Sequence, residues 1–322
     1  MKAIVHTQYG SPDVMQLTEM EKPTPNDDQI LVQVHAASVN ALDWHLLTAD
    51  IFLVRLMGLG LLRPKNPVRG ADIAGTVEAV GKNVTRFKPG DDVFGDIGNG
   101  GFAEYALGKE EQLALKPANL SFEAAAAVPV AGLTALQGLR DNGKIQAGQK
   151  VLINGAAGGV GTFAVQLAKA FGAEVTAVCS TRNIEQARQL GADHVVDYTQ
   201  ENFTESSKRY DLIYAANGYH PLSAYKRALT PRGVYVMAGG KPRQMFEVLL
   251  LGGLYSEKDG RQFGSVSAHV SQEGLQTLKE MLEAGKIVPA IDRRYPLHET
   301  PEALRYLGTN HARGKIVIHM TS

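Results

Sequence analysis

A chain of 322 residues exceeds what one hydrophobic core normally organises, so two domains are expected. Hydrophobic residues make up 44% and charged residues 20%, and Lys plus Arg equal Asp plus Glu at 33 each, so the chain is globular and no basic surplus points to nucleic acid or an anionic membrane as a partner. The single cysteine, Cys179, excludes an internal disulfide framework and a cysteine-rich zinc cage, and it fits a reducing cytoplasm.

The opening "MKAIVHTQYG" has no apolar core of a secretory signal, so none is expected. The runs "KAIVHT", "ILVQVHAASV", "DIAGTVEAVG" and "FAEYAL", punctuated by "KPGDDVFG" and "GNGG", read as short strands of an irregular all-β module. Within it, "IFLVRLMGLGLL" at 51–62 is the most apolar stretch. It carries Arg55 and falls short of the ~20 residues a spanning helix needs, so no membrane span is expected. With Trp44 it supplies Phe52, Leu56 and Met57 as a lining for a flat or lipid-derived carbonyl compound, the alternative being a loop helix packed into the β module.

At Ser121 the texture changes to "SFEAAAAVPVAGLTALQGL", where Ser121 can cap a helix and Glu123 supports its first turn. Apolar strands then alternate with helical patterns: "KVLING", a helix at 161–171, "EVTAVCS", a helix at 183–190, "HVVDY", "DLIYAA", a helix at 221–229, "GVYVMAG" and "SVSAHV". That alternation predicts parallel βαβ units with helices on both faces of the sheet. A helix at 272–285 and the strand "KIVIHM" close the chain. The expected fold class is α/β, a doubly wound parallel sheet over 121–270 beside a β module of 1–120 and 271–322, the tail folding back on the first module.

The stretch "NGAAGGVGTFA" at 154–164 joins the strand "KVLI" to a helix with Phe163, Val165, Leu167, Ala168 and Phe171 as apolar positions, the setting a dinucleotide fingerprint requires. Gly158 and Gly161 keep the spacing of the last two fingerprint glycines, and Ala156 stands where the first would be. A pyrophosphate would sit on the helix N-terminus, whose unpaired amides and dipole favour an anion; the plain alternative is a tight βα turn with no ligand. An NAD site carries an acid at the end of the second strand. Here that end reads "CSTRN", and Ser180, Thr181 and Arg182 suit a 2′-phosphate, so the expected cofactor is NADPH. Asn217 and Gly239 fall at strand C-terminal ends, where open α/β sheets bind ligands.

The motifs "GAAGGVGTFAVQLAK", "LGADHVVDY", "VPVAGLTAL" and "GGFAEYA", in this order along nearly the whole chain, resemble the zinc-independent quinone oxidoreductase branch of the medium-chain dehydrogenase/reductases. The resemblance implies a GroES-like β module joined to a Rossmann domain, an active site in the cleft between them, and a homodimer formed by pairing of "SVSAHV". It also implies that backbone groups at Ala157, Gly158, Gly159 and Val160 face the pyrophosphate, that Ser180, Arg182 and Tyr198 face the adenosine phosphate, and that His311 and Arg313 approach the cofactor from the tail.

Zinc alcohol dehydrogenases of this superfamily place a Cys and a His where this chain has Asn40 in "SVNALDW" and Ala71 in "RGADIAG", so no metal is expected. Without a Lewis acid, an acceptor with its own conjugation is the easier substrate, because hydride attack at the β-carbon puts charge on an enolate that hydrogen bonds can carry. Asn40 and His45 are the candidate catalytic side chains, with Asp43 beside them; many relatives carry a tyrosine at the His45 position. The expected function is NADPH-dependent reduction of quinones or α,β-unsaturated carbonyl compounds. The alternatives are a zinc-free dehydrogenase of a specific metabolite and an NADPH-binding regulatory or structural protein with little turnover.

Overall fold

The computed structural model describes residues 1–49, 63–240, 242–256 and 260–320. The expectations for 51–62, Phe52 among them, lie outside the described residues. The chain divides into two compact units, one of Met1–Val130, Val270–Glu283 and Pro289–Ser322, the other of Ala131–His269 and Ala284–Val288.

The first unit opens with an antiparallel pair, β1 (Lys2–Val5) and β2 (Gln16–Glu19), followed by β3 (Gln29–Val39) and helix α1 (Ala41–Thr48). β4 (Asp72–Val80), β5 (Asp92–Asp96), β6 (Tyr105–Lys109), β7 (Leu113–Leu115) and α2 (Phe122–Ala126) complete its N-terminal part. β3 organises this unit because it is long enough to pair antiparallel with β4 along one edge and with β6, over Gln29–Gln33, along the other. It sends Ile30, Val32 and Val34 into a core shared with Ile73, Val77, Val93 and Leu113. β5 lies inside the stretch read as turn punctuation: the turn ends at Gly90, and Val93 and Phe94 behind it are fully buried.

The cap expected at Ser121 is present, its Oγ accepting from the Ala124 amide at 3.2 Å. The helix is short because Pro129 disfavours helical backbone just ahead of itself and starts α3 (Pro129–Gln137) as a fresh first turn. The break between units falls at 130/131 rather than near 120, since α2 lies on β3 and β4 and the Val130 amide donates to Asp72 Oδ1 at 2.8 Å.

The second unit carries β8 (Lys150–Asn154), α4 (Gly159–Ala170), β9 (Glu174–Cys179), α5 (Ile184–Gln189), β10 (His194–Asp197), β11 (Tyr210–Ala215), α6 (Leu222–Ala228), β12 (Leu229–Met237), α7 (Pro242–Ser256) and β13 (Gln262–Ser265). Its six strands run parallel in the order β10-β9-β8-β11-β12-β13, the doubly wound arrangement that reverses direction beside the first strand. Leu152, Val178, Ile213, Tyr225, Tyr235 and Phe263 belong to one buried core in this unit. The edge strand is "QFGS", not "SVSAHV": of the latter only Ser265 pairs in β13, and the Val266 amide then bonds Met237 O at 2.8 Å. Helix α7 had no clear sequence signal because its outward face is also apolar. Gln244, Val248 and Gly252 point inward at four-residue spacing, whereas Phe246, Leu249 and Leu250 are 49%, 76% and 71% exposed.

The chain then returns to the first unit through α8 (Gln272–Glu283), β14 (Ile291–Pro296), α9 (Thr300–Gly308) and β15 (Lys315–His319). The Gln272 side-chain amide donates to the carbonyls of Glu110 and Leu113, and β15 pairs antiparallel with β3 from Ile316 opposite Val39 to His319 opposite Ala36. No helix among the described residues is long and apolar enough to cross a membrane.

Candidate functional site

In the second unit, β8 delivers the chain into a turn that only small residues can make. Gly155 has φ +81°, and a Cβ there would meet Asn217 N at 2.8 Å. A Cβ on Gly161 would meet Gly155 O at 2.1 Å, so this glycine is what lets α4 close down on the turn. Gly158 differs from both. It is the N-cap of α4, with φ −77° and ψ 174°, and a Cβ on it would meet nothing closer than Gly155 O at 3.8 Å. The cradle in front of Gly158 is therefore open, and the first amides of α4 have no intrahelical acceptor. A phosphate group fits that combination of space, donors and helix dipole. The register proposed from sequence shifts by one at its first position: Gly155 makes the left-handed turn, and Ala156 is 1% exposed and packs inside. Three glycines at intervals of three, Gly155, Gly158 and Gly161, were the available signal.

Asn217 and Gly239 come to the same end of the sheet. The Asn217 amide donates to Asn154 O at 3.2 Å, and a Cβ on Gly239 would meet Ala216 O at 2.5 Å, so the ends of β8, β11 and β12 meet beside the turn. Asn154 is 5% exposed, and its Nδ2 donates to Tyr225 Oη at 3.0 Å, which fixes this strand end from behind.

Beyond β9, Ser180 caps a short turn over Thr181–Asn183, and its Oγ accepts from Asn183 Nδ2 at 3.1 Å. Arg182 is exposed in that turn. Tyr198 is 61% exposed just past β10, tied to β9 through its amide and Cys179 O at 3.0 Å. An acid missed in the sequence sits here too, on the neighbouring strand: Asp197 pairs in register with Cys179 and accepts from Thr181 Oγ1 at 2.5 Å and from the Thr199 amide at 2.9 Å. The Thr181 hydrogen bond, followed by those of Thr199, holds the Asp197 carboxyl below its ordinary range. Cys179 is 2% exposed, and burial pushes its thiol up to about 11.

The first unit contributes a buried polar cluster at the junction of β3, β4, α1 and β15. Asn40 caps α1 in a capping box, its amide donating to Asp43 Oδ2 at 2.8 Å. Asn40 Nδ2 donates to Asp72 Oδ2 at 2.9 Å, Ser38 Oγ donates to the same oxygen at 2.7 Å, and Lys315 Nζ donates to it at 3.1 Å and also to Asn40 Oδ1. Asp72 is fully buried and Lys315 is 2% exposed. Lys315 went unnoticed because it opens a strand that reads as an ordinary apolar tail. Burial pushes Asp43 up to about 7, the charge of Asp72 raising it further while the hydrogen bond from Asn40 and the charge of Lys315 oppose the rise. Asp96 rises to about 6 for the same first reason.

The other candidates of this unit are placed separately. Trp44 is half-buried and packs on α9, where a Cβ at Gly308 would meet its ring at 2.6 Å. His45 is half-buried on α1. His311 and Arg313 lie exposed on the turn before β15, and the Arg313 amide donates to Asp292 Oδ2 at 2.8 Å. Among the described residues no group of three or more His, Cys, Asp or Glu side chains could hold a metal ion.

Residues 26–118 match the family described as alcohol dehydrogenase GroES-like domain, and residues 190–318 match the one described as zinc-binding dehydrogenase. The chain is 36% identical to 2-methylene-furan-3-one reductase of Solanum lycopersicum, over 99% of its own length and 79% of that protein. The chain belongs to the medium-chain dehydrogenase/reductase superfamily, in its quinone oxidoreductase-like branch. Another member, the NADPH-dependent alkenal/one oxidoreductase, chloroplastic, of Arabidopsis thaliana, is 34% identical over 99% of this chain and 79% of that protein. The solved quinone oxidoreductase from Coxiella burnetii superposes with a TM-score of 0.87 at 31% identity, over 100% of this chain and 99% of that one. As in other medium-chain dehydrogenase/reductases, a GroES-like unit and a doubly wound parallel unit share one chain, and the second is the nucleotide-binding domain, for a nicotinamide dinucleotide.

Proposed function

We propose that this medium-chain dehydrogenase/reductase uses NADPH to reduce quinones and α,β-unsaturated carbonyl compounds without a metal ion. The observation that carries the reading is the open cradle at Gly158 on the N-terminus of α4, in a chain 34% to 36% identical over 99% of its length to reductases named for enone substrates. Ala157, Gly158, Gly159 and Val160 hold the pyrophosphate through backbone groups. Ser180, Arg182 and Tyr198 hold the 2′-phosphate end, and Asn217 and Gly239 line the remainder of the cofactor. The preference for NADPH is supported by Arg182 and Ser180, which offer a guanidinium and a hydroxyl at the end of β9.

Bound NADPH supplies the hydride. The chain supplies position and charge: Asn40 presents an amide N–H to the carbonyl oxygen, His45 carries a proton from solvent, and Trp44 bounds the acceptor. Metal independence rests on Asn40 and Ala71 at the positions where zinc-using relatives have thiolate and imidazole, and on the engagement of Asn40 by Lys315 and Asp72. A homodimer built on β13 is supported by the position of that strand at the sheet edge and by the exposed leucines of the adjacent α7. A cytoplasmic location rests on the lone, buried cysteine.

The test is NADPH oxidation with a quinone, an enone and the matching saturated ketone, before and after chelation, alongside metal analysis. Turnover on the first two acceptors that survives chelation is expected. Turnover of simple ketones alone overturns the substrate class, and activity abolished by removal of a stoichiometric zinc overturns the metal-free reading.

A further inference from the structure

We infer that Lys315 is a positioning residue for the reaction, its ammonium orienting and polarising the Asn40 amide so that the one amide hydrogen left over is offered to the acceptor carbonyl. The inference deepens the reductase reading above and rests on it. Three facts about the cluster lead there.

First, the chemistry of the partners fixes which way the amide faces. An ammonium only donates and a carboxylate only accepts, so the Asn40 atom on Lys315 must be oxygen and the atom on Asp72 must be nitrogen. Second, the amide nitrogen has two hydrogens and gives one to Asp72; the other has no acceptor among the described residues. Third, Asn40 is the member of the cluster nearest the surface, at 7% exposure, against 2% for Lys315 and none for Ser38 and Asp72. A cation bound to an amide oxygen draws electrons from the nitrogen and strengthens the remaining N–H as a donor, an effect that burial magnifies because little water screens it.

A cation so placed is suited to a charge that appears only during the reaction. When a hydride, one proton with two electrons, arrives at the β-carbon of an enone, the C=C π pair shifts towards the carbonyl and the oxygen becomes an enolate oxyanion. The Asn40 N–H meets that charge, a solvent proton then reaches the α-carbon, and a saturated ketone leaves with the oxidised cofactor. Lys315 touches neither substrate nor cofactor in this scheme; it acts through Asn40.

Removing the lysine alone strands Asp72 as an unpaired buried charge and risks the fold. The informative variant is therefore the neutral pair Lys315→Met with Asp72→Asn, since replacing both members of a buried ion pair is often tolerated. The full chain carrying both changes is compared with wild type for kcat and KM on an enone, for NADPH Kd and for Tm. Loss of a true oxyanion donor lowers turnover by about 10²-fold or more, and loss of its polarising partner is expected to lower kcat by ~10-fold or more, with KM and NADPH Kd within about twofold. A fall in kcat with KM, Kd and Tm held supports the inference. Equal kcat in the double variant and wild type overturns it and leaves the reductase reading intact, as does a fall in kcat matched by an equal loss of NADPH binding. A wild-type protein inactive on every enone and quinone overturns the reductase reading, and the inference with it.

Discussion

Two alanines in the same turn should have opposite effects, one on cofactor binding and one on folding. In Gly158→Ala the new methyl meets nothing nearer than 3.8 Å, and the backbone at φ −77° and ψ 174° is one that alanine adopts freely. Alanine restricts the unfolded chain, stabilising by about 0.4–1 kcal/mol, and is a poorer N-cap than glycine by a similar amount, so the two effects offset and Tm should stay within roughly 3 °C. The methyl nevertheless fills the space in front of the α4 amides. NADPH affinity should fall at least tenfold, about 1.4 kcal/mol. In Gly161→Ala the methyl would lie 2.1 Å from Gly155 O and 2.8 Å from the Ala156 carbonyl carbon, where real contacts do not fall below 3.0 Å. Both obstacles are backbone, so the turn must open; overpacking of this kind costs roughly 1–3 kcal/mol, which for a domain of this size lowers Tm by roughly 2–12 °C. Thermal unfolding and fluorescence titration with NADPH read both variants. Wild-type affinity in Gly158→Ala would refute the anion site on this turn, and wild-type Tm in Gly161→Ala would refute the close approach of α4.

Arg182→Ala should weaken NADPH by roughly 1.5–3 kcal/mol and leave NADH nearly unchanged; equal losses in parallel titrations would remove the 2′-phosphate assignment. Sedimentation at micromolar concentration should give a dimer, and a species of 34.7 kDa would refute the pairing through β13. The buried Asp43 carboxyl makes stability depend on pH. Its folded value, about 7, lies above the ordinary 3.8, so the unfolded chain releases this proton first and stability drains as pH rises from about 4 to about 7. Asp43→Asn should flatten that decline in urea unfolding at pH 5 and pH 8, leaving the part due to Asp96; identical declines in both proteins would sink the assignment.

The parallel unit was readable because its strands are short apolar runs closed by turn residues and its glycine turn has a fixed context. The β unit was harder. β5 hides behind "KPGDD" because a single hydrogen-bonded partner on each side, rather than alternation, makes it a strand. β14, with "IDRRYP", has polar residues on both faces and exists because β15 lies alongside it. Of the site, Gly158, Gly161 and Asn40 could be picked out by position. Asp197 and Lys315 could not, since Asp197 meets Thr181 only through pairing of β10 with β9, and Lys315 meets Asn40 only because β15 pairs with β3, 275 residues away. Such partners become visible only when the sheet is assembled.

The pairing of β15 with β3 also sets an order on how the protein can be made. β3 and β4 leave the ribosome early with Asn40 and Asp72 in place, yet the ammonium that offsets Asp72 comes on β15, after the whole parallel unit has been synthesised. Until then the early strands hold a carboxylate that cannot be buried without penalty and an edge on β3 without its last neighbour. The nascent β unit is thus kept from settling prematurely, and a product stopped short of Lys315 would be left open at that edge, a ready substrate for chaperones and proteases.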